Sequence, residues 1–151
     1  MSNIFTNTKK TKKGKEESSF RWWVTLLMSF GLALGTWNPT GYHFIHYIAQ
    51  QDLLSGFTPF AIIFMLGLWI LAIKSIFQSI GWGGTIFILI VIGAFLWGLN
   101  SYGIIEFDNL TQMGWAGTIS VAIIIWVGLN ASIIWKTLTG VYSTDTVESD
   151  D

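Results

Sequence analysis

The chain has 151 residues, 52% of them hydrophobic and 11% charged, with a net charge of −1 and no cysteine. Soluble domains carry charge on about a quarter of their residues, so this composition excludes an ordinary soluble fold. The lack of cysteine excludes disulfides, thiolate nucleophiles and iron–sulfur ligation.

Residues 1–19 are polar and rich in lysine (Lys9, Lys10, Lys12, Lys13, Lys15). They show no hydrophobic periodicity, which predicts a disordered basic arm. The apolar stretch 20–37 follows. It is longer than the core of a signal peptide and no small-residue cleavage pattern comes after it, so a retained span is expected. Three further apolar runs lie near 59–77, 83–99 and 113–135. Each approaches or exceeds the roughly 17–25 residues that cross a bilayer core as a helix. Unbroken apolar runs without alternation point to helices rather than to a barrel. The expected fold is therefore all-α: a polytopic membrane protein with four transmembrane helices over 20–138 and an acidic tail over 139–151. That tail carries Asp145, Glu148, Asp150 and Asp151.

The basic residues set the orientation. Six precede the first run, with Arg21 the last of them, while Lys74 and Lys136 close the second and fourth runs. All eight then fall on one side of a four-span layout. Cytoplasmic segments collect Lys and Arg, which places both termini inside. The tryptophans mark the same boundaries. Trp22, Trp23, Trp82 and Trp135 sit at the inner ends, and Trp37, Trp97 and Trp115 at the outer ones, as an interfacial aromatic belt would. Trp69 and Trp126 fall inside spans, where bulky packing between helices is expected.

Both prolines follow a capping residue, in Asn38-Pro39 and Thr58-Pro59. Proline suits the first helical position, so Thr58-Pro59 is expected to open the second span. Asn38-Pro39 is expected to end the first span and open a short helix across the outer surface. In 42–52, Phe44, Ile45 and Ile48 mix with His43, His46, Gln50 and Gln51, a composition suited to the interface plane. Small-residue pairs at Gly31/Gly35, Ala94/Gly98, Ala116/Ser120 and Gly128/Ser132 would allow close helix approach.

The densest polar cluster is Thr36-Trp37-Asn38-Pro39-Thr40-Gly41-Tyr42, with His43 and His46 just beyond it. In this stretch the chain resembles a family of small four-span bacterial membrane proteins, domain-of-unknown-function family 6524. That family carries an aromatic-Asn-Pro-Thr/Ser-Gly-Tyr motif after its first span. The end is also similar, with Lys136-Thr137-Leu138-Thr139-Gly140 running into an acidic tail. Here Lys136 stands alone where the family places several arginines. The resemblance implies a multi-pass protein of the bacterial inner membrane and carries no activity with it.

As chemistry, Asn38, Pro39 and Gly41 read first as a rigid corner, with Thr36 and Thr40 bonding free backbone groups. The alternative is a small outer site built on the same corner. His43 and His46 would share a helix face and, with Asp52, Glu106 or Asp108, form a weak candidate metal site. Metal binding there lacks a specified third and fourth ligand. No phosphate loop, zincin motif or nucleophile elbow occurs. No carboxylate lies within the four apolar runs, which argues against a proton-coupled pump or a small multidrug exporter.

The expected function is therefore a structural or accessory subunit of a membrane complex, with no cofactor, no catalytic residues and no nucleic-acid partner. A small-solute transporter or channel component is the first alternative. A membrane enzyme or metal-binding protein using the 36–46 corner is the second. The Lys9–Lys15 arm suits anionic lipid, at about 1 kcal/mol per lysine near the surface. The acidic tail suits a basic cytoplasmic partner, and a homo-oligomer is also open.

Overall fold

A computed structural model describes residues 4–10 and 16–139 of the chain. Lys12, Lys13, Lys15 and the acidic tail lie outside the described residues. The element order is β1 (Thr6–Lys10), β2 (Glu16–Phe20), α1 (Trp22–Thr36), α2 (Phe44–Ala49), α3 (Thr58–Ser101) and α4 (Leu110–Thr139).

Within the stretch expected to form the basic arm, the described residues include two short strands. Strands β1 and β2 pair antiparallel, with Thr6 opposite Phe20 and a register that sets Lys9 opposite Glu17 and Lys10 opposite Glu16. Backbone bonding from Arg21 N–H to the Phe5 carbonyl (3.0 Å) and the Phe5–Trp23 ring pair (5.8 Å) join the hairpin to the start of α1.

Helix α3 is one element where two spans, 59–77 and 83–99, were expected. It is helical throughout except at Gly81, whose φ of 70° and ψ of 177° break the run into 58–80 and 82–101. That combination is open essentially to glycine alone. Two further contacts complete the junction. A Cβ at Gly84 would lie 2.1 Å from Ile80 Cγ2, and the Phe77 and Trp82 rings meet at 4.4 Å on either side.

Chain length requires the helix to turn back there. Gly128 abuts Ile76. Trp69 shares a cavity with Gly117 and Thr118, and Ala72 shares one with Ile125. The half 58–80 therefore runs parallel to α4. Were α3 straight, Ser101 would lie about 37 Å beyond Ile76, with Leu110 about 27 Å to the other side of Gly128. Residues 102–109 extend at most about 32 Å, so they connect the two only if 82–101 folds back. A half-buried stripe at Gly84, Thr85, Ile88, Ile92, Leu96 and Leu99 marks the inward face of this returning half. Replacing Gly81 by alanine, which meets no neighbour, should cost about 1–3 kcal/mol from backbone conformation alone. A lowered unfolding midpoint in detergent, with helix content unchanged, is the expected reading.

Helix α1 packs antiparallel on α4. Thr25 meets Asn130 near one end, and Trp37 and Pro39 press on Gly114 at the other. Its 15 residues span about 22 Å, well short of α4. A Cβ at Gly31 or Gly35 would meet nothing within 4 Å, so among the described residues that pair makes no close approach.

The interior is small and polar. Buried side chains are Ala33, Ala72, Ile76, Ala122 and Ile125 beside Thr25, Ser29, Asn38, Thr58, Thr118 and Asn130. The large apolar side chains face outward instead, among them Phe60, Phe64, Ile70, Phe87, Ile90 and Phe95. Among the described residues, two helices (Thr58–Ser101 and the described part of α4, Leu110–Ala131) are long and apolar enough to cross a membrane.

Candidate functional site

The corner after α1 is built around Asn38, which is 9% exposed. Its side chain works in two directions. Nδ2 donates back to the Leu34 carbonyl at 2.9 Å and forward to the Tyr42 carbonyl at 2.9 Å. Oδ1 accepts from Thr40 N–H at 3.0 Å and also from the Thr40 hydroxyl. Trp37 N–H donates to the Ala33 carbonyl. One amide thus satisfies a carbonyl of the last turn of α1 and holds a five-residue loop closed, with Gly41 at φ 84° completing it.

This corrects the expected role of Asn38-Pro39. Pro39 and Thr40 form a turn, not a helix start. The short helix opens later, at Phe44, and His43 is its cap: His43 Nδ1 accepts from His46 N–H at 3.1 Å. Asn38 is committed to α1 and the loop, which leaves it no means of capping a following helix. Likewise α3 begins at Thr58 with Pro59 in its first turn, but Phe57 occupies the cap position and no side chain caps it. Thr58 is 2% exposed and packs inside.

Around the corner lie two recesses. A cavity of about 360 Å³ is lined by Ala33, Thr36, Trp37, Trp69, Gly117 and Thr118, among others. Its polar atoms are occupied: the Thr36 hydroxyl donates to the Leu32 carbonyl (2.7 Å) and accepts from Trp69 Nε1 (2.9 Å), while Thr118 donates to the Gly114 carbonyl (2.9 Å). An open cleft of about 530 Å³ is lined by Thr40, Gly41, Tyr42, His43, His46, Tyr47 and Gln50. The Tyr42 carbonyl belongs to the corner, but its residue is 91% exposed.

The candidate ligands His43, His46 and Asp52 are not gathered. The two histidine rings lie 5.8 Å apart, but His43 Nδ1 is spent on the helix cap and His46 Nε2 lies 2.8 Å from Gln50 Nε2. Among the described residues no three His, Asp or Glu side chains stand close enough to hold a metal ion. The Glu106 backbone N–H donates to Gln112 Oε1 at 2.8 Å.

At the far end of α1, Asn130 Nδ2 donates to Thr25 Oγ1 at 2.7 Å and to the Trp126 carbonyl at 2.8 Å. Thr25 in turn donates to the Trp22 carbonyl, and Trp126 Nε1 reaches the same carbonyl at 3.1 Å. Ser29 Oγ donates to the Thr25 carbonyl. An asparagine within an apolar run is the sequence signal for this second network, but Thr25 cannot be identified as its partner by spacing.

A family model described as a family of unknown function, DUF6524, matches residues 19–149. The chain belongs to this family. No curated protein and no solved structure matches it. The matched stretch runs from the end of the hairpin through both polar networks, so every side chain of the corner lies within the DUF6524 region.

Proposed function

We propose that this DUF6524 protein spans the bacterial inner membrane four times with both termini cytoplasmic, and serves as a structural or accessory subunit of a membrane complex. It carries out no chemistry of its own. The observation that supports the reading most directly is the inversion of its packing: apart from Ile76 and Ile125 the buried side chains are small or polar, and many large apolar ones lie outside. In water such a surface would far exceed the apolar patches that soluble monomers expose. In lipid it is the ordinary arrangement, where close approach of small residues and interhelical hydrogen bonds hold a bundle together. Each half of α3, at about 34 and 30 Å, has the length of a span.

The polar groups support a scaffold over an enzyme. Those of the corner and of the Asn130 network bond to one another, and among the described residues Arg21 Nε is the one buried side-chain donor without a partner. A poised catalytic group would be expected to have bonding capacity to spare. The basic arm and the acidic tail share the cytoplasmic face in this arrangement, the first suited to anionic lipid and the second to a basic partner.

Purification in a native detergent followed by mass spectrometry tests the proposal. A stoichiometric membrane or cytoplasmic protein should co-purify, and deletion of 143–151 should release a cytoplasmic one at low salt. A monodisperse protein without a partner that carries solute into liposomes would overturn the subunit reading in favour of transport.

A further inference from the structure

Helices α1 and α3 both pack on α4 but touch each other far less, and a groove of about 330 Å³ lies between them. The buried residues Ala72 and Ile125 lie at its base, with Met28 and Leu32 on the α1 side and Met65 and Leu71 on the α3 side. Ser29 Oγ already donates to the Thr25 carbonyl at 2.7 Å, so what the groove offers an occupant is mainly apolar contact. From Met65 to Ser75 it follows α3 for about 15 Å, half of a hydrocarbon core roughly 30 Å thick. That is the depth of one leaflet and the reach of a single acyl chain. The two methionines in the walls can rearrange around a flexible chain.

One end of the groove is cationic. Arg21, at the N-cap of α1, stands seven residues before Met28, about 10 Å along the helix and on the same face. Its Nε is buried without a hydrogen-bond partner. The adjacent Trp22 is 63% exposed, as an indole at headgroup level would be. Lys74 is exposed on α3, beside the lining residue Ser75. Helices α1, α3 and α4 contain no carboxylate, so neither these helices nor those of a second copy supply an anion to Arg21. A phosphate does: a guanidinium pairs with it through two parallel charge-assisted hydrogen bonds.

We propose that the groove holds one acyl chain of an anionic phospholipid, with the lipid phosphate at Arg21. The assignment rests on the membrane-spanning reading above. The apolar groove accepts the tail of any phospholipid, and the cationic end makes the choice. A choline headgroup sets its own cation beside the phosphate and cancels part of the attraction to Arg21 and Lys74. A headgroup with net negative charge keeps all of it.

Native mass spectrometry of the purified full-length protein in detergent, titrated with phosphatidylglycerol or phosphatidylcholine of the same acyl chains, tests this. One phosphatidylglycerol should bind about five-fold or more tightly than phosphatidylcholine, the effect of one cation at an anionic lipid surface. Arg21→Gln should reduce that preference about five-fold, and Arg21→Lys should keep it. Gly31 lines the groove and a Cβ there meets nothing within 4 Å, so Gly31→Leu should displace the lipid without lowering the unfolding midpoint in lipid-free detergent. Equal binding of the two lipids, binding that survives Gly31→Leu, or a preference unchanged in Arg21→Gln would each overturn the proposal. So would a dimer that Gly31→Leu dissociates, which would give the groove to a second copy. Carbonate extraction of the membrane fraction separates the two readings. Protein that resists extraction yet shows no lipid preference refutes the groove assignment alone, whereas protein released by carbonate refutes the spanning arrangement with it.

Discussion

Replacing Gly128 with valine should separate α3 from α4 and prevent the bundle from forming a stable unit. At this position a Cβ would lie 2.5 Å from Ile76 Cγ1, 3.0 Å from Ile76 Cα and 3.1 Å from Ile76 Cβ. The first of these could be relieved by a rotamer change. The second involves backbone, so the helices themselves must move apart. Insertion into a well-packed contact costs about 1–3 kcal/mol and more where no side chain can yield, so about 3 kcal/mol is the expected scale. The loss spreads beyond one contact, because Ile76, Ile125 and Ala72 form the buried apolar cluster of the molecule. Gly31→Val is the internal control. A Cβ added there meets nothing within 4 Å among the described residues, so its substitution should leave the unfolding midpoint of the isolated chain nearly unchanged. A detergent unfolding curve for each variant reads the contrast directly. Equal midpoints for the two variants would show that the α3–α4 contact does not hold the bundle.

Asn38→Ala should be the most damaging substitution in the polar corner. It removes both donors and the acceptor of one side chain, leaving the Leu34 and Tyr42 carbonyls and the Thr40 amide to find other partners. An unsatisfied buried group costs about 1–3 kcal/mol, and partial relaxation of the loop limits the sum to roughly 3 kcal/mol. Asn38→Asp separates the roles. It retains the acceptor for Thr40 but loses both donor bonds, so it should restore little, and protection of the Thr40 amide should recover ahead of global stability. The measurements are the unfolding midpoint and amide exchange at Trp37 and Thr40. A corner that serves only a ligand would leave both unaltered in Asn38→Ala.

The helices were legible in the sequence because apolar runs in this chain are long and sharply bounded. Pro59 places the start of α3 to within a residue, and the gap between the apolar runs 59–77 and 83–99 contains Gly81, where the helix breaks. Asn130, Thr85 and Ser120 are neutral polar residues able to bond between helices or back to their own backbone; Thr85 and Ser120 bond back to their own helix, and Asn130 does both. What escaped reading depends on direction and pairing. Asn38 is followed by proline and so resembles an opening cap, yet its amide points back into α1; a one-dimensional pattern does not distinguish the two. The hairpin was hidden by its own polarity. Glu16 and Glu17 look like a mere offset to the lysine charge until the register sets them opposite Lys10 and Lys9. Trp69 and Trp126 read as bulk, but both also use their ring N–H, on Thr36 and on the Trp22 carbonyl.

The fold-back at Gly81 also defines the unit in which this chain is assembled. The two halves of α3 are separated by one non-helical residue, with no polar loop between them to remain in an aqueous compartment while one half moves. In the proposed four-span arrangement, neither half would enter or leave the bilayer without drawing the other with it, so 58–101 would insert as a single wedge. Extraction from that arrangement, starting from either end of the segment, would remove both halves in one co-operative step.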